Sequence, residues 1–183
     1  MIIFNNKNRE HLSSKKVVFL HIPKNAGMAF IRSFHPINES HNNSFPKKSE
    51  INIAIVRNPE KRLQSIFAHL WERTHIEKNA GDLKNFKTLH DLAEAYYDKS
   101  NPLHKKALDL LSWTREKFRN AVYTNLQCGE AHCVHWAPQN YYVLGHGSKV
   151  DYLLKFENLD SDIGKLKELG IINPKENMIM FNK

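Results

Sequence analysis

The strongest constraint on the fold lies in residues 17–34, where a short apolar run stops at a proline and a helical pattern begins. Val17–Ile22 has the length and β-branched content of a buried strand, and Ala26–Phe34 has apolar residues at helical spacing. The sequence therefore predicts a strand-to-helix turn over Pro23–Gly27. The first amides of a helix carry the positive end of its dipole, and Lys24 adds a full charge beside them. We expect an anion such as phosphate to bind there; the alternative is an ordinary turn with a surface lysine.

A second strand-to-helix junction follows in residues 51–73. Ile51–Val56 is predicted to be a buried strand, which Arg57 ends. Asn58 and Pro59 are typical of the N-cap and the first position of a helix. An arginine therefore follows this predicted strand directly, much as a lysine follows the first one.

Helix signals recur further along the chain. Residues 88–91, Thr-Leu-His-Asp, resemble a capping box that opens a helix to about Asp98, and Asn101-Pro102 predicts the start of another. Tyr152–Phe156 is predicted to be a strand. Asn158 is expected to cap a final helix that stops before a glycine.

Three groups of residues resemble sulfotransferases that use 3'-phosphoadenosine 5'-phosphosulfate (PAPS). The similarity is greatest to the carbohydrate sulfotransferases, including the heparan sulfate 2-O- and chondroitin-type enzymes. The groups are Pro23-Lys24-x-x-Gly27, then Val56-Arg57-Asn58-Pro59-x-x-Arg62-Leu63-x-Ser65, and last His135-Trp136-Ala137-Pro138-Gln139 with Phe156-Glu157-x-Leu159.

The resemblance implies a role for each matching position. The first loop would hold the 5'-phosphosulfate, and Arg57 with Ser65 would hold the 3'-phosphate, while Arg62 either assists or covers the helix surface. The cofactor-binding residues expected on this basis are Pro23, Lys24, Asn25, Ala26, Gly27, Met28, Ala29, Arg57 and Ser65. Relatives usually carry Pro-Lys-Thr-Gly-Gly-Thr-Ser in the first loop, so hydroxyl donors to the phosphate are missing here. Backbone amides and Lys24 are then expected to bind the anion.

A histidine between the two nucleotide motifs often acts as the base in this family. Residues 35–50 are rich in Asn, Ser, Pro and His and are predicted to form a loop. His41 is the favoured base and His35 the alternative, because an imidazole can take a proton from a hydroxyl at neutral pH. Lys24 and His41 are thus the expected catalytic residues. Glu157 would either orient the site or support the fold, and the structural role is favoured.

The expected fold class is α/β, in three layers with a mainly parallel sheet, in the P-loop NTPase-like architecture of sulfotransferases. Residues 1–16 are predicted to be a polar lead-in, and residues 17–183 a single sulfotransferase-like domain. A chain of 183 residues buries roughly 70% of the surface that its unfolded form exposes, which is enough for a core.

Composition limits the class of protein and its partners. Hydrophobic residues make up 41% and charged residues 25%, which is ordinary for a globular protein, and no apolar run reaches the ~20 residues of a membrane span. The N-terminus lacks the pattern of a secretory signal, so a cytoplasmic location is expected. The net charge of +8 attracts polyanions without choosing among them. No zinc-finger spacing or RNP signature is present, so no nucleic-acid partner is predicted.

The two cysteines raise the question of a metal site. Cys128 and Cys133 lie close to His132 and His135, but their spacing fits structural zinc sites poorly. Reduced thiols, or a local disulfide, are favoured over zinc, and no metal is predicted.

The resemblance implies transfer of a sulfuryl group from PAPS to an acceptor hydroxyl, on a saccharide or a glycosylated metabolite. One alternative is a P-loop phosphotransferase, although Asn25 stands where that motif needs a magnesium-binding hydroxyl. Another is a catalytically inactive relative that binds a nucleotide or a glycan, which the unusual Asn25, Met28 and Ala29 favour. A nucleic-acid binder is the third alternative, and it rests on the net charge alone.

Overall fold

The computed structural model describes residues 16–34, 38–40, 51–76, 81–111, 135–144 and 150–179. The chain divides into two compact units: Met1–Asn58 together with Pro138–Lys183 form the first, and Pro59–Ala137 form the second. A single domain over residues 17–183 therefore stays a prediction.

The described residues contain four strands, six helices and two short 3₁₀ turns. The strands are β1 (Val17–Leu20), β2 (Asn38–Ser40), β3 (Ile51–Val56) and β4 (Tyr152–Lys155). The helices are α1 (Gly27–Ser33), α2 (Pro59–Ile76), α3 (Leu89–Tyr97), α4 (His104–Leu111), α5 (Gln139–Leu144) and α6 (Leu159–Glu168). The 3₁₀ turns are Gly81–Asn85 and Phe156–Asn158.

The strands form one parallel sheet in the order β2-β1-β3-β4. This confirms the mixed α/β class and the parallel sheet. Ile51–Ile55 are all buried, so β3 is covered on both faces, and every residue of the strand except Asn52 is apolar.

β2 corrects the prediction of an uninterrupted loop over residues 35–50. Its sequence, Asn-Glu-Ser, has no apolar periodicity, so nothing in it indicates a strand. It forms by backbone pairing along β1, in the register Val18 with Asn38 and Leu20 with Ser40.

The strand order places a switch point in the first unit. The chain passes from β1 to β2 on one side and then returns to β3 on the other side of β1. In open parallel sheets, ligands bind in the crevice outside the carboxyl ends of the strands, at the point where the order reverses. The loops that follow β1 and β3 flank that crevice.

An apolar core holds the helices of the first unit to the sheet. Phe30 from α1, with Phe34 directly after it, and Ile163 and Leu166 from α6 belong to one buried cluster with the isoleucines of β3. The rings of Phe19 and Phe30 stack with centroids 4.8 Å apart. These contacts fix α1 against the strand that precedes it.

The second unit has its own apolar core, to which α2, α3, α4 and the turn at Gly81–Asn85 contribute. α3 opens with the predicted capping box: the Thr88 hydroxyl accepts from the Asp91 amide at 3.0 Å, and the Asp91 carboxylate accepts from the Thr88 amide at 3.1 Å. The Asn101 side chain accepts from the Leu103 amide at 2.9 Å, ahead of α4. None of the described helices is long and apolar enough to span a bilayer.

Candidate functional site

The loop between β1 and α1 has a strained backbone. Lys24 and Ala26 have φ angles of 68° and 61°, in the left-handed region that costs a non-glycine residue about 1–2 kcal/mol. Such residues cluster at ligand sites, where the surrounding structure holds them. α1 begins directly after this loop, as predicted.

Gly27 is required because His21 lies against it. A Cβ at position 27 would stand 2.7 Å from the Nε2 atom of His21 and closer still to its Cδ2 atom. The glycine of the first motif therefore allows the first turn of α1 to approach the end of β1 closely.

Arg57 lies at the end of β3 and turns towards the first loop. Its Nη1 atom donates to the Lys24 carbonyl oxygen at 3.2 Å, and its guanidinium carbon lies 4.5 Å from the centre of the Phe156 ring. Its Nε atom is buried with no hydrogen-bond partner, and Arg57 forms no ion pair within the described parts of the chain. A partly buried guanidinium without a carboxylate retains a positive charge that can bind an anion.

A buried network of side-chain amides joins the same two loops. The Asn25 Nδ2 atom donates to the Ile55 carbonyl oxygen at 2.8 Å and to Gln139 Oε1 at 2.7 Å. Gln139 Oε1 also accepts from the Arg57 amide at 2.8 Å, and its Nε2 donates to the Arg57 carbonyl oxygen at 2.7 Å. Because an amide N–H only donates and a carbonyl only accepts, these contacts fix the orientation of both side-chain amides.

Among the predicted site residues, the structure brings together the first loop and Arg57, at the carboxyl ends of adjacent strands. Asn25 is only 1% exposed, and its Nδ2 atom is committed to the protein interior. Ala29 is buried as well, whereas Met28 is 41% exposed. Ser65 lies half-buried on α2 in the second unit. Its role beside Arg57 stays a prediction.

The predicted bases, His41 and His35, lie outside the described residues. β2 ends at Ser40, which pairs with Leu20 at the end of β1. The strand that precedes His41 therefore ends at the same edge of the sheet as the strand that precedes Lys24.

Arg62 does not cover the surface of its helix. It is 3% exposed, and its guanidinium donates to the carbonyl oxygens of Ala137 at 3.1 Å and His135 at 2.9 Å. These contacts tie α2 to the segment before Pro138, within the second unit. This corrects the surface interpretation, because a buried guanidinium needs acceptors and finds them in backbone carbonyls.

Glu157 contacts the backbone of the loop that follows β3, within the first unit. Its Oε1 atom accepts from the Asn58 amide at 2.7 Å. This contact agrees with the favoured structural role.

Sequence reasoning missed the roles of Gln139, Phe156 and His21. Gln139 and Phe156 stand within motifs that were noticed, but neither received a function. A glutamine after a helix-starting proline gives no sign that its amide reaches a strand end 82 residues away. His21 falls within the predicted first strand, but its closeness to Gly27 is visible only in three dimensions.

Within the described ranges, no group of three or more His, Cys, Asp or Glu side chains could hold a metal ion. Cys128, Cys133 and His132 lie outside those ranges, so the interpretation of the cysteines as thiols or a disulfide stays a prediction.

Comparison with known proteins identified no relatives on which an assignment could rest. No protein-family model, no curated protein and no solved structure gives a significant match to this chain.

Proposed function

We propose that this protein transfers a sulfuryl group from PAPS to an acceptor hydroxyl on a saccharide or a glycosylated metabolite, within a P-loop-like sulfotransferase architecture. The observation that carries the proposal is Arg57. It is a guanidinium without an ion-pair partner in the described structure, at the strand end beside the Lys24 loop. A nucleotide with phosphates at both its 5' and 3' positions needs a cationic side chain at each of them, and Lys24 and Arg57 are the two proposed here.

The topology supports the same assignment. Lys24 follows β1 and Arg57 follows β3, and these two strands flank the switch point of the sheet. Parallel sheets bind nucleotides at this position. Lys24 lies in the strained loop after β1, so the backbone amides of that loop are available to the same phosphate.

In the proposed reaction the acceptor oxygen attacks sulfur in line with the bond to the departing phosphate. A bond forms between the acceptor oxygen and sulfur, and the bond between sulfur and the bridging phosphate oxygen breaks. His41 takes the hydroxyl proton, and Lys24 with the loop amides stabilises the charge that develops on the phosphate. Adenosine 3',5'-bisphosphate is the other product.

A second candidate is binding of the same nucleotide without transfer. The contacts of Asn25 favour it, because the position where relatives carry a hydroxyl is occupied by an amide whose nitrogen donates inward. A P-loop phosphotransferase has less support, since Asn25 offers no hydroxyl to magnesium.

The ligand test compares adenosine 3',5'-bisphosphate with 5'-AMP in the absence of magnesium. Ligand stabilisation follows RT ln(1 + [L]/Kd), so the bisphosphate should raise the melting temperature far more than 5'-AMP. Arg57→Ala should erase the difference between the two ligands. Arg32→Ala, which removes an exposed arginine from α1, is the matched control and should preserve it.

An equal response of the wild-type protein to both ligands would contradict the proposal. A response only to ATP with magnesium would favour the phosphotransferase.

Transfer itself is tested by release of the bisphosphate from PAPS with a panel of saccharide acceptors. His41→Ala should lower turnover by about 10² to 10⁴ with little change in nucleotide affinity, and His35→Ala should have a milder effect. Lys24→Ala should abolish transfer and weaken nucleotide binding by about 1.5–3 kcal/mol. Nucleotide binding without turnover of any acceptor would support the second candidate.

A further inference from the structure

Gln139 contacts both of the loops that carry the proposed phosphate-binding charges. Three hydrogen bonds of 2.7–2.8 Å connect its side-chain amide to the amide and carbonyl of Arg57 and to the Asn25 side chain. Its amide accepts from the Arg57 N–H and donates to the Arg57 carbonyl oxygen, as the backbone of a neighbouring strand would. One side chain therefore joins the end of β3 to the loop that follows β1.

The same network holds the strained part of that loop. Asn25 stands between Lys24 and Ala26, the two residues with positive φ. Its Nδ2 atom has two acceptors, the Ile55 carbonyl oxygen and Gln139 Oε1. Residues in unfavourable backbone regions persist only where their surroundings fix them. These two hydrogen bonds, together with the one from Arg57 to the Lys24 carbonyl oxygen, are among the contacts that do so here.

We propose that Gln139 is a positioning residue, which fixes the Arg57 backbone and, through Asn25, the loop that presents Lys24 to a nucleotide. The inference rests on the proposed function, since it concerns the same ligand. Gln139 acts through its two partners, because both polar atoms of its side chain are already bonded to them.

The substitution Gln139→Glu separates positioning from simple packing, because glutamate has nearly the shape of glutamine. An ionised carboxylate can accept from the Arg57 amide and from Asn25, but it cannot donate to the Arg57 carbonyl oxygen. A protonated carboxyl restores that donor. The variant therefore carries the correct hydrogen-bonding pattern only at low pH.

The experiment measures affinity for adenosine 3',5'-bisphosphate by calorimetry from about pH 5 to pH 8, in the wild type and in Gln139→Glu. We expect the variant to bind about tenfold or more weakly than the wild type at the upper end of that range. The ratio of the two affinities should approach one as the pH falls. The control, Asn140→Asp, adds the same charge at the neighbouring exposed position of α5. Its affinity should stay close to that of the wild type, with a ratio that does not change with pH.

Hydrogen exchange of the Arg57 amide gives a readout that needs no nucleotide. In Gln139→Leu this amide loses its acceptor, so it should exchange at least tenfold faster than in the wild type, while the buried Ile53 amide keeps its rate.

The outcomes separate the two proposals. If the wild type binds the bisphosphate and Gln139→Glu binds it equally well at every pH, the positioning role is overturned and the proposed function stands. If the wild type does not bind the bisphosphate, the proposed function is overturned. In that case the exchange rate of the Arg57 amide alone decides whether Gln139 fixes this residue. An unchanged rate in Gln139→Leu would overturn the positioning role as well.

Discussion

Two polar networks in this molecule show how differently a sequence can encode its hydrogen bonds. Thr88 and Asp91 cap α3 through exposed side chains three residues apart. Asn25, Arg57 and Gln139 form a buried network whose members lie 32 to 114 residues apart. The first network needs one turn of helix to form, whereas the second needs the sheet to be assembled.

The difference has energetic consequences. An exposed cap that loses a partner can bond to water instead, so its removal costs about 1 kcal/mol. A buried carbonyl that loses its donor has no such replacement, and the penalty is about 1–3 kcal/mol for each group. Substitutions in the two networks should therefore differ in how much they lower the free energy of unfolding and in how that loss depends on pH.

The largest effect is expected from Asn25→Ala. This change removes one buried and one partly buried hydrogen bond and leaves the Ile55 carbonyl oxygen without its Asn25 donor, so the free energy of unfolding should fall by about 2–4 kcal/mol. Urea denaturation measures it, with Asn140→Ala on the exposed side of α5 as the control. A loss below about 0.5 kcal/mol would mean that the network does not hold the loop.

Gly27→Ala should follow, with a loss of about 1–3 kcal/mol, because the new methyl group overlaps the His21 ring. His21→Ala supplies the space, so the double variant should lose less than the sum of the single changes. Urea denaturation of all four proteins forms the cycle. Additive losses would contradict the close approach as the reason for this glycine.

Thr88→Ala should lower the free energy of unfolding by about 1 kcal/mol, because it removes the side-chain acceptor of the Asp91 amide. Thr88→Ser keeps the hydroxyl and should retain most of the stability. If Thr88→Ala were as unstable as Asn25→Ala, the expected difference in stability between the exposed and the buried network would be contradicted.

The smallest effect is a pH dependence that only the exposed network should show. The pKa of the Asp91 carboxyl is lowered below its ordinary value of 3.8, and the main cause is the hydrogen bond that the Thr88 hydroxyl donates to it. A carboxyl whose pKa is lowered by folding adds stability above the ordinary pKa and loses it as the pH falls through the folded value. The difference in urea midpoint between wild type and Thr88→Ala should therefore shrink below about pH 3.8.

For Asn25→Ala the difference in urea midpoint from the wild type should stay constant over that range, because the side-chain amides of Asn25 and Gln139 do not titrate. A parallel pH dependence in both variants would contradict the assignment.

The elements that local sequence specifies were predictable. β3, the start of α2 at Pro59 and the capping box at Thr88 all follow from residues within one or two turns of each other. The final helix stops as expected before Gly170, which has a φ of 69°. Asn158 precedes that helix, but its side chain makes no capping hydrogen bond, because an N-cap preference does not fix a rotamer.

The candidate site was predictable only in part. Lys24 and Arg57 were recognised because each follows an apolar run directly, and parallel pairing of β1 with β3 brings those strand ends together. β2 was missed because three polar residues carry no periodic signal. The burial of Arg62 was missed because its acceptors lie more than 70 residues away.

The sequence by itself determined β1, β3 and β4, the helix starts and the two cations at strand ends, since these depend on burial patterns and on neighbours within a few residues. Only the tertiary structure decided that Asn25 bonds inward to Gln139 and that Arg57 lies over Phe156. It also decided that His21 leaves room at position 27 for nothing larger than glycine. Such contacts depend on which strand ends meet and at what distance, and hydrogen bonds and close approaches are sensitive to tenths of an ångström that no sequence pattern specifies.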